Sequence, residues 1–297
     1  MTVAAAIAPT RPAKTGQPVA TTALTAATLL LPIVAINTLG FLVPVFNLLL
    51  MSMRKVEASG ALLDAWTAAS WLKLFVDGFY LQLLWNTVRV SALITLLTLL
   101  ASYPIALYLH RSRGTWRNVL LVLVIAPLLT SAVVRTYGWI AILSDQGVLN
   151  AAARALGAGA PLRLMFNEVG VVIGLTEILM PYMILSLLAG FGRLDPRLEE
   201  AAASLGAGPF AVFRRVVLPL SLPGVALGSL LAFVLSVSSF ITPKLLGGGR
   251  VFLLATEIYD QAIVTLNWPL AATLSIVVLL VFGLALAAYA RVVKRIG

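Results

Sequence analysis

Apolar residues gather in long blocks along this chain, and polar residues gather in the gaps between them. Six blocks stand out, at about 26–53, 86–109, 117–143, 169–191, 222–246 and 269–293. A helix rising about 1.5 Å per residue over such a block crosses a hydrocarbon layer about 30 Å thick. The two-residue alternation of a transmembrane β-barrel is missing. The pattern predicts an all-α, polytopic membrane protein with six transmembrane helices.

The gaps have patterns of their own. Residues 1–22 are Ala, Thr and Pro with Arg11 and Lys14. They lack an apolar core and predict a flexible tail, ahead of a membrane domain at 23–297. No processed leader is evident, so the first span is expected to be retained. Residues 54–85 hold Trp66, Trp71, Phe75, Phe79, Tyr80 and Trp85. That spacing predicts amphipathic helices lying at the membrane interface. Residues 110–116 form a tight basic turn. Within 144–168, Asn150–Leu156 predicts a short helix closed by Gly157. The gap at 247–268 opens on a hinge-like Gly247-Gly248-Gly249 turn and predicts a short helix over Ile258–Val264. No 20–50-residue repeat is visible.

The gap at 192–221 is unlike a solvated linker. Leu198, Ala202 and Leu205 fall on one helical face, and Gly206 and Gly208-Pro209 end that helix. Phe210, Phe213 and Val217 make a second apolar stripe, with Pro219 expected to stop it. The result is a helix-turn-helix knob with apolar surface on the aqueous side, built to dock into another protein.

Composition agrees with a membrane protein and charge orients it. The 297 residues are 61% hydrophobic and 11% charged, against about a quarter charged in a soluble domain. The formal charge is +10, and its distribution follows the spans. The tail, the second and fourth gaps and the C-terminus carry Arg11, Lys14, Arg111, Arg113, Arg117, Arg193, Arg197, Arg214, Arg215, Arg291, Lys294 and Arg295, against Asp195, Glu199 and Glu200. The other side carries seven basic and seven acidic residues. By the positive-inside rule the first side is cytoplasmic, with both termini and the knob. Bilayer topology thus accounts for the charge without nucleic acid.

Chemistry is sparse. Without cysteine there is no disulfide, thiolate metal site or thiol nucleophile. The one histidine, His110, sits at a span end beside Arg111 and Arg113. Neither a phosphate-binding G-x-x-x-x-G-K-[ST] loop nor H-E-x-x-H occurs. The chain is therefore not expected to be an enzyme, and no metal or cofactor is expected in it.

The knob carries Glu200-Ala201-Ala202, then Gly206, Val216 and Leu218-Pro219. This resembles the cytoplasmic EAA loop of binding-protein-dependent ABC importer permeases, with every spacing kept and Val216 where Ile is commoner. The resemblance implies that Glu200, Ala201, Ala202, Ala203, Leu205, Gly206, Leu218 and Pro219 form a coupling helix seated in a cleft of an ATPase subunit. It also implies a bacterial inner-membrane location, a second permease, an ATPase dimer holding ATP and Mg²⁺, and a periplasmic solute-binding protein. Thr130–Trp139, Gly147–Asn150, Leu218–Gly224, Phe240–Gly248 and Asn267-Trp268-Pro269 are similar to the spermidine/putrescine branch of these permeases. That branch implies a polyamine or related amine as solute. It also includes importers of amino-acid derivatives and phosphonates.

Some span residues are candidates for the solute path on their own chemistry. Gly170, Gly174, Glu177 and Pro181 share a face, so Glu177 points at protein rather than lipid. An ionisable group at that depth is a functional candidate. It faces a cationic solute, or it is a hydrogen-bonded carboxyl between helices. Arg135, Tyr137 and Trp139 form either an aromatic wall for a cation or an interfacial belt with a snorkelling Arg. Tyr182 joins them beside Pro181. Gly224 and Gly228 make a second close-packing face, followed by Ser236, Ser238, Ser239 and Thr242. The rival class is an ATP-independent secondary transporter or channel, for which only Glu177 and Arg135 are available to couple ions. A membrane-embedded enzyme is disfavoured by the missing catalytic groups.

Overall fold

The computed structural model describes residues 19–57, 60–157 and 159–296. The chain divides into two units, one ending at Asn47 and one running from Leu48. α1 (Val19–Ser52) holds Pro32 and Pro44, and its described side chains up to Asn47 are mostly exposed and apolar, Leu31 and Ile36 among them. It begins before the expected start at 26 and takes in residues 19–22. Most of the tail expected at 1–22 lies outside the described residues.

The second unit opens on a hairpin, β1 (Arg54–Val56) with β2 (Leu62–Trp66), in which Lys55 faces Leu63 and Val56 faces Leu62. Then come α2 (Ala69–Val76), α3 (Gly78–Arg111) and α4 (Thr115–Ile125). A 3-10 turn over Ala126–Leu129 leads to α5 (Ala132–Leu143) and α6 (Val148–Ala155). α7 (Glu168–Gly190) ends in a 3-10 turn at Phe191–Arg193, before α8 (Pro196–Ser204) and α9 (Pro209–Val212). A π-helical turn, Phe213–Val217, joins α9 to α10 (Leu218–Ser238). α11 (Ile241–Leu246), α12 (Leu254–Tyr259), a second π-helical turn (Asp260–Val264) and α13 (Trp268–Ile296) complete the chain. Among the described residues five helices are long and apolar enough to cross a membrane, or six if the bent α4–α6 segment counts as one span.

α7 is the axis of the core, packed between α3 and α10. Leu175, Met183 and Leu187 are essentially inaccessible, as are Val90 and Ile94 of α3. Glycine sets the crossing with α10. A Cβ on Gly190 would lie 2.5 Å from the Gly224 Cα, and one on Gly228 would lie 2.5 Å from the Met183 sulfur. The expected Gly224/Gly228 face is thus the α7 contact. Gly174 admits α11, since a Cβ there would lie 2.6 Å from Leu246 Cδ1. The Ser236 hydroxyl donates to the Ser91 hydroxyl at 3.2 Å inside the bundle.

Four expectations are corrected. The 54–85 gap is not a set of interfacial helices: it turns at Gly60, whose φ is +85°, and only α2 is of that kind. Phe79, Tyr80 and Trp85 belong to α3, which Asp77 starts early by accepting from the Phe79 N–H at 3.0 Å. The 117–143 block is not straight: the chain bends by 103° between Leu129 and Ala132. Thr130 is extended and Ser131 caps α5, accepting from the Val133 N–H. The 222–246 block breaks at Ser239, leaving α11 separate. Finally, Pro219 does not stop a helix. It lies in the first turn of α10, where no N–H is required. The preceding π-helical turn shifts the hydrogen-bond register and carries the chain through.

Candidate functional site

Local sequence explains the knob. Pro196 opens α8 and Asp195 caps it, accepting from the Arg197 N–H at 2.9 Å. Gly206 closes it at φ +84°. The Ala207 N–H donates to the Ala202 carbonyl at 3.1 Å, and the Gly206 N–H to the Ala203 carbonyl at 2.9 Å. That pair of bonds is the Schellman closure. Ala202 and Ala207 are part-buried against the core, while Ala201 and Ala203 face outward. Leu205 and Phe210 are 89% and 75% exposed. Between α8 and α9 lies a groove of about 530 Å³, rimmed by Leu205, Gly206, Ala211 and Arg215. Leu198 is exposed as well, so the face expected to hold Leu198, Ala202 and Leu205 shows its leucines and tucks in its alanine.

The two acids of the motif have different situations. Glu199 receives Arg111, at the end of α3, at 2.6 Å. Glu200 is exposed, and among the described residues nothing pairs with its carboxylate. Leu218 is part-buried and Pro219 exposed at the foot of α10.

The foot of the knob is fastened into the bundle by Tyr103 and Phe191, which the sequence pattern did not mark, together with Phe213 and Ser221. The Tyr103 hydroxyl of α3 pairs with the buried Ser221 hydroxyl at 2.9 Å, and Ser221 also donates to the Leu218 carbonyl. The Tyr103 ring stands edge-on to Phe191 at 5.7 Å and to Phe213 at 5.8 Å. Four segments therefore meet on one aromatic ring. A tyrosine among apolar span residues is the available signal, but its partners are far away in sequence.

Deeper in the bundle, three candidates form one cluster. Arg135 approaches the Glu177 carboxylate at 2.6 Å and also donates to the Glu177 carbonyl at 3.2 Å. The Trp139 indole N–H donates to the other carboxylate oxygen at 3.0 Å. Arg135 is 11% exposed, so it pairs inward instead of snorkelling, while Glu177 keeps 37% exposure. Glu177 also lines a mostly apolar cavity of about 250 Å³ with Ile105, Leu120, Met180 and Ile184. Tyr137 and Tyr182 are exposed, and among the described residues their hydroxyls make no bond to this cluster. Thr136 and Thr242 share a hydrogen bond at 2.9 Å that ties α5 to α11. Buried Asn150 donates to the Ser144 and Leu162 carbonyls and accepts from the Leu162 N–H, which locks the loop after α6. Lys244 pairs with Asp260 at 2.5 Å.

The chain matches the family described as binding-protein-dependent transport system inner membrane component over residues 102–297. It is 34% identical over 260 residues to the spermidine/putrescine transport system permease protein PotB of Haemophilus influenzae, covering 86% of this chain and 91% of that one. It is 35% identical over 217 residues to the PotB protein of Escherichia coli K12, covering 73% and 79%. Among solved structures it superposes on a chain of a bacterial alginate ABC transporter in complex with an alginate pentasaccharide-bound periplasmic protein. That match has a TM-score of 0.71 at 18% identity and covers 94% of this chain and 96% of that one.

Proposed function

The chain belongs to the family of binding-protein-dependent transport system inner membrane components, and on that premise we propose that it is the permease subunit of an ATP-driven importer of polyamines of the spermidine/putrescine class. Similarity to the PotB proteins along most of the chain supports that solute class. The partners are a second permease, an ATPase dimer against the knob, and a periplasmic solute-binding protein. ATP and Mg²⁺ belong to the ATPase, and both termini and the knob face the cytoplasm.

The observation that carries this reading is the knob itself. It presents exposed Leu205 and Phe210 together with Glu200, whose carboxylate nothing pairs with among the described residues, and the helix that carries Glu200 is capped at both ends. Glu200 makes a charge-assisted contact to a basic group of the ATPase. Closure of the ATPase dimer on ATP draws the knobs together, and the bundle turns from inward-open to outward-open. Solute enters from the binding protein and leaves inward after hydrolysis.

The chain has no cysteine, so Ala203→Cys introduces a single thiol at the knob. In cells making all companion proteins it crosslinks to the ATPase. Glu200→Lys abolishes uptake while membrane insertion persists. Crosslinks to lipid or solvent alone, or normal uptake in the Lys variant, overturn the reading.

Within the bundle, Glu177 offers its accessible carboxylate to an ammonium group of the solute, with Arg135 as its partner when solute is absent. Tyr137, Trp139 and Tyr182 supply aromatic surface nearby. Glu177→Gln slows polyamine uptake with the complex still assembled; unchanged uptake kinetics remove Glu177 from the path.

A further inference from the structure

Three span ends converge on one small basic cleft. Arg54 and Lys55 follow the end of α1, Lys73 precedes the start of α3, and Asn267 immediately precedes α13. The cleft holds about 240 Å³ and is lined by Arg54, Lys55, Thr67, Ser70, Lys73 and Asn267. Asp64 pairs with Arg54 at 2.5 Å. Among the described residues no other carboxylate pairs with a cation of the cleft; Lys55 makes no ion pair, and the Lys73 ammonium lies 5.7 Å from the centre of the Tyr80 ring. Nearby Asp77 is engaged in capping α3. Neutral donors complete the lining. Asn267 accepts from the Leu270 N–H through its side-chain oxygen, and among the described residues its amide N–H groups and the Ser70 hydroxyl have no hydrogen-bond partner.

The element beside the cleft is amphipathic. α2 buries Leu74 and exposes Leu72 at 66%, Phe75 at 66% and Val76 at 78%, with Lys73 flanking them. An apolar helical face next to a cationic cleft, at the level where spans leave the hydrocarbon, matches the boundary between acyl chains and headgroups. An acidic protein surface suits the cations but leaves three large apolar side chains in water.

We propose that this cleft is a phospholipid site. It holds the phosphate of an anionic headgroup between Lys55, Lys73 and the neutral donors, while Leu72, Phe75 and Val76 enter the adjoining acyl region. Charge-assisted bonds to the phosphate oxygens supply the recognition. The site rests on α1, α3 and α13 being spans and is independent of the solute carried.

The test uses the complete transporter complex, released from membranes and exchanged into nanodiscs of phosphatidylglycerol or phosphatidylcholine. Retained lipid is counted by native mass spectrometry. The wild type retains phosphatidylglycerol preferentially. Lys55→Gln/Lys73→Gln lowers that retention about thirtyfold, the loss expected when two surface cations facing an anionic lipid are removed. Both lysines are exposed, so assembly and thermal midpoint stay unchanged in the variant. Undiminished retention in the variant overturns the proposal. Complete displacement of the lipid by millimolar inorganic phosphate would make this a free-anion site and also overturns it. So does weaker docking of the solute-binding protein with lipid retention intact, which would assign the cleft to an acidic protein surface.

Discussion

Gly206 shows how much one residue of the knob is asked to do. A Cβ there would meet nothing within 4 Å, yet the backbone sits at φ +84°. Its demand inside the chain is conformational rather than spatial. Asn tolerates the left-handed region, whereas a β-branched side chain does not, and the left-handed conformation costs an ordinary residue about 1–2 kcal/mol. Gly206→Asn therefore retains most uptake per inserted molecule, and Gly206→Val loses it as the α8 closure unwinds. Equal loss in both variants would place the demand on a docked partner's surface. Tyr103 is the counterpart at the foot of the knob. Tyr103→Phe keeps both edge-on ring contacts and removes only the bond to Ser221, a loss of about 1 kcal/mol. Tyr103→Ala removes the ring as well and shifts the thermal midpoint down several times as far as Tyr103→Phe does. Similar midpoints for the two variants would show that the ring contributes little.

At the scale of elements, hydropathy blocks located α1, α3, α7 and α13 because length and composition alone define a span. They missed the bend before α5, since an apolar count carries no direction and Thr130-Ser131 is a brief polar interruption. They also missed the α9–α10 continuity, because a π-helical turn has no clear composition and Pro219 ordinarily signals an end. The knob was legible because its signals are local: an apolar stripe, a closing Gly and the fixed spacing from Glu200 to Leu218-Pro219. The Arg135–Glu177 pair was legible as two residues but not as a pair, with forty-two positions between them. Gly190 drew no notice because its role exists only against Gly224. Pairing has a measurable consequence. Arg135 is nearly buried, so Glu177→Gln leaves it uncompensated and lowers the thermal midpoint of the complex. Arg135→Gln/Glu177→Gln recovers part of that loss, because it buries no lone charge. A double variant as unstable as the sum of the singles would show that the two groups act independently.

For the whole molecule, the question is how motion at the knob reaches the spans. Besides its apolar packing and its continuity with α10, two polar side-chain connections leave it: the Tyr103–Ser221 contact at its foot, and the Arg111–Glu199 pair from α8 to the end of α3. The ion pair is about half exposed on the arginine side and a quarter on the glutamate side, so its contribution to stability is small, below about 1 kcal/mol. Its value is geometric, holding α8 at a set angle to a helix that runs through the bundle beside α7 and α10. Glu199→Arg places two cations against each other and frees that angle. In proteoliposomes containing all subunits, it lowers the solute moved per ATP hydrolysed while barely changing the thermal midpoint. Arg111→Glu/Glu199→Arg restores an attractive pair with the charges exchanged, and the ratio recovers. If Glu199→Arg keeps the wild-type ratio, the ion pair carries no load, and the Tyr103 contact and the apolar packing of the knob join it to the bundle. If the ratio falls and the exchanged pair does not restore it, Glu199 itself faces the ATPase, and the division of labour between Glu199 inside and Glu200 outside is wrong.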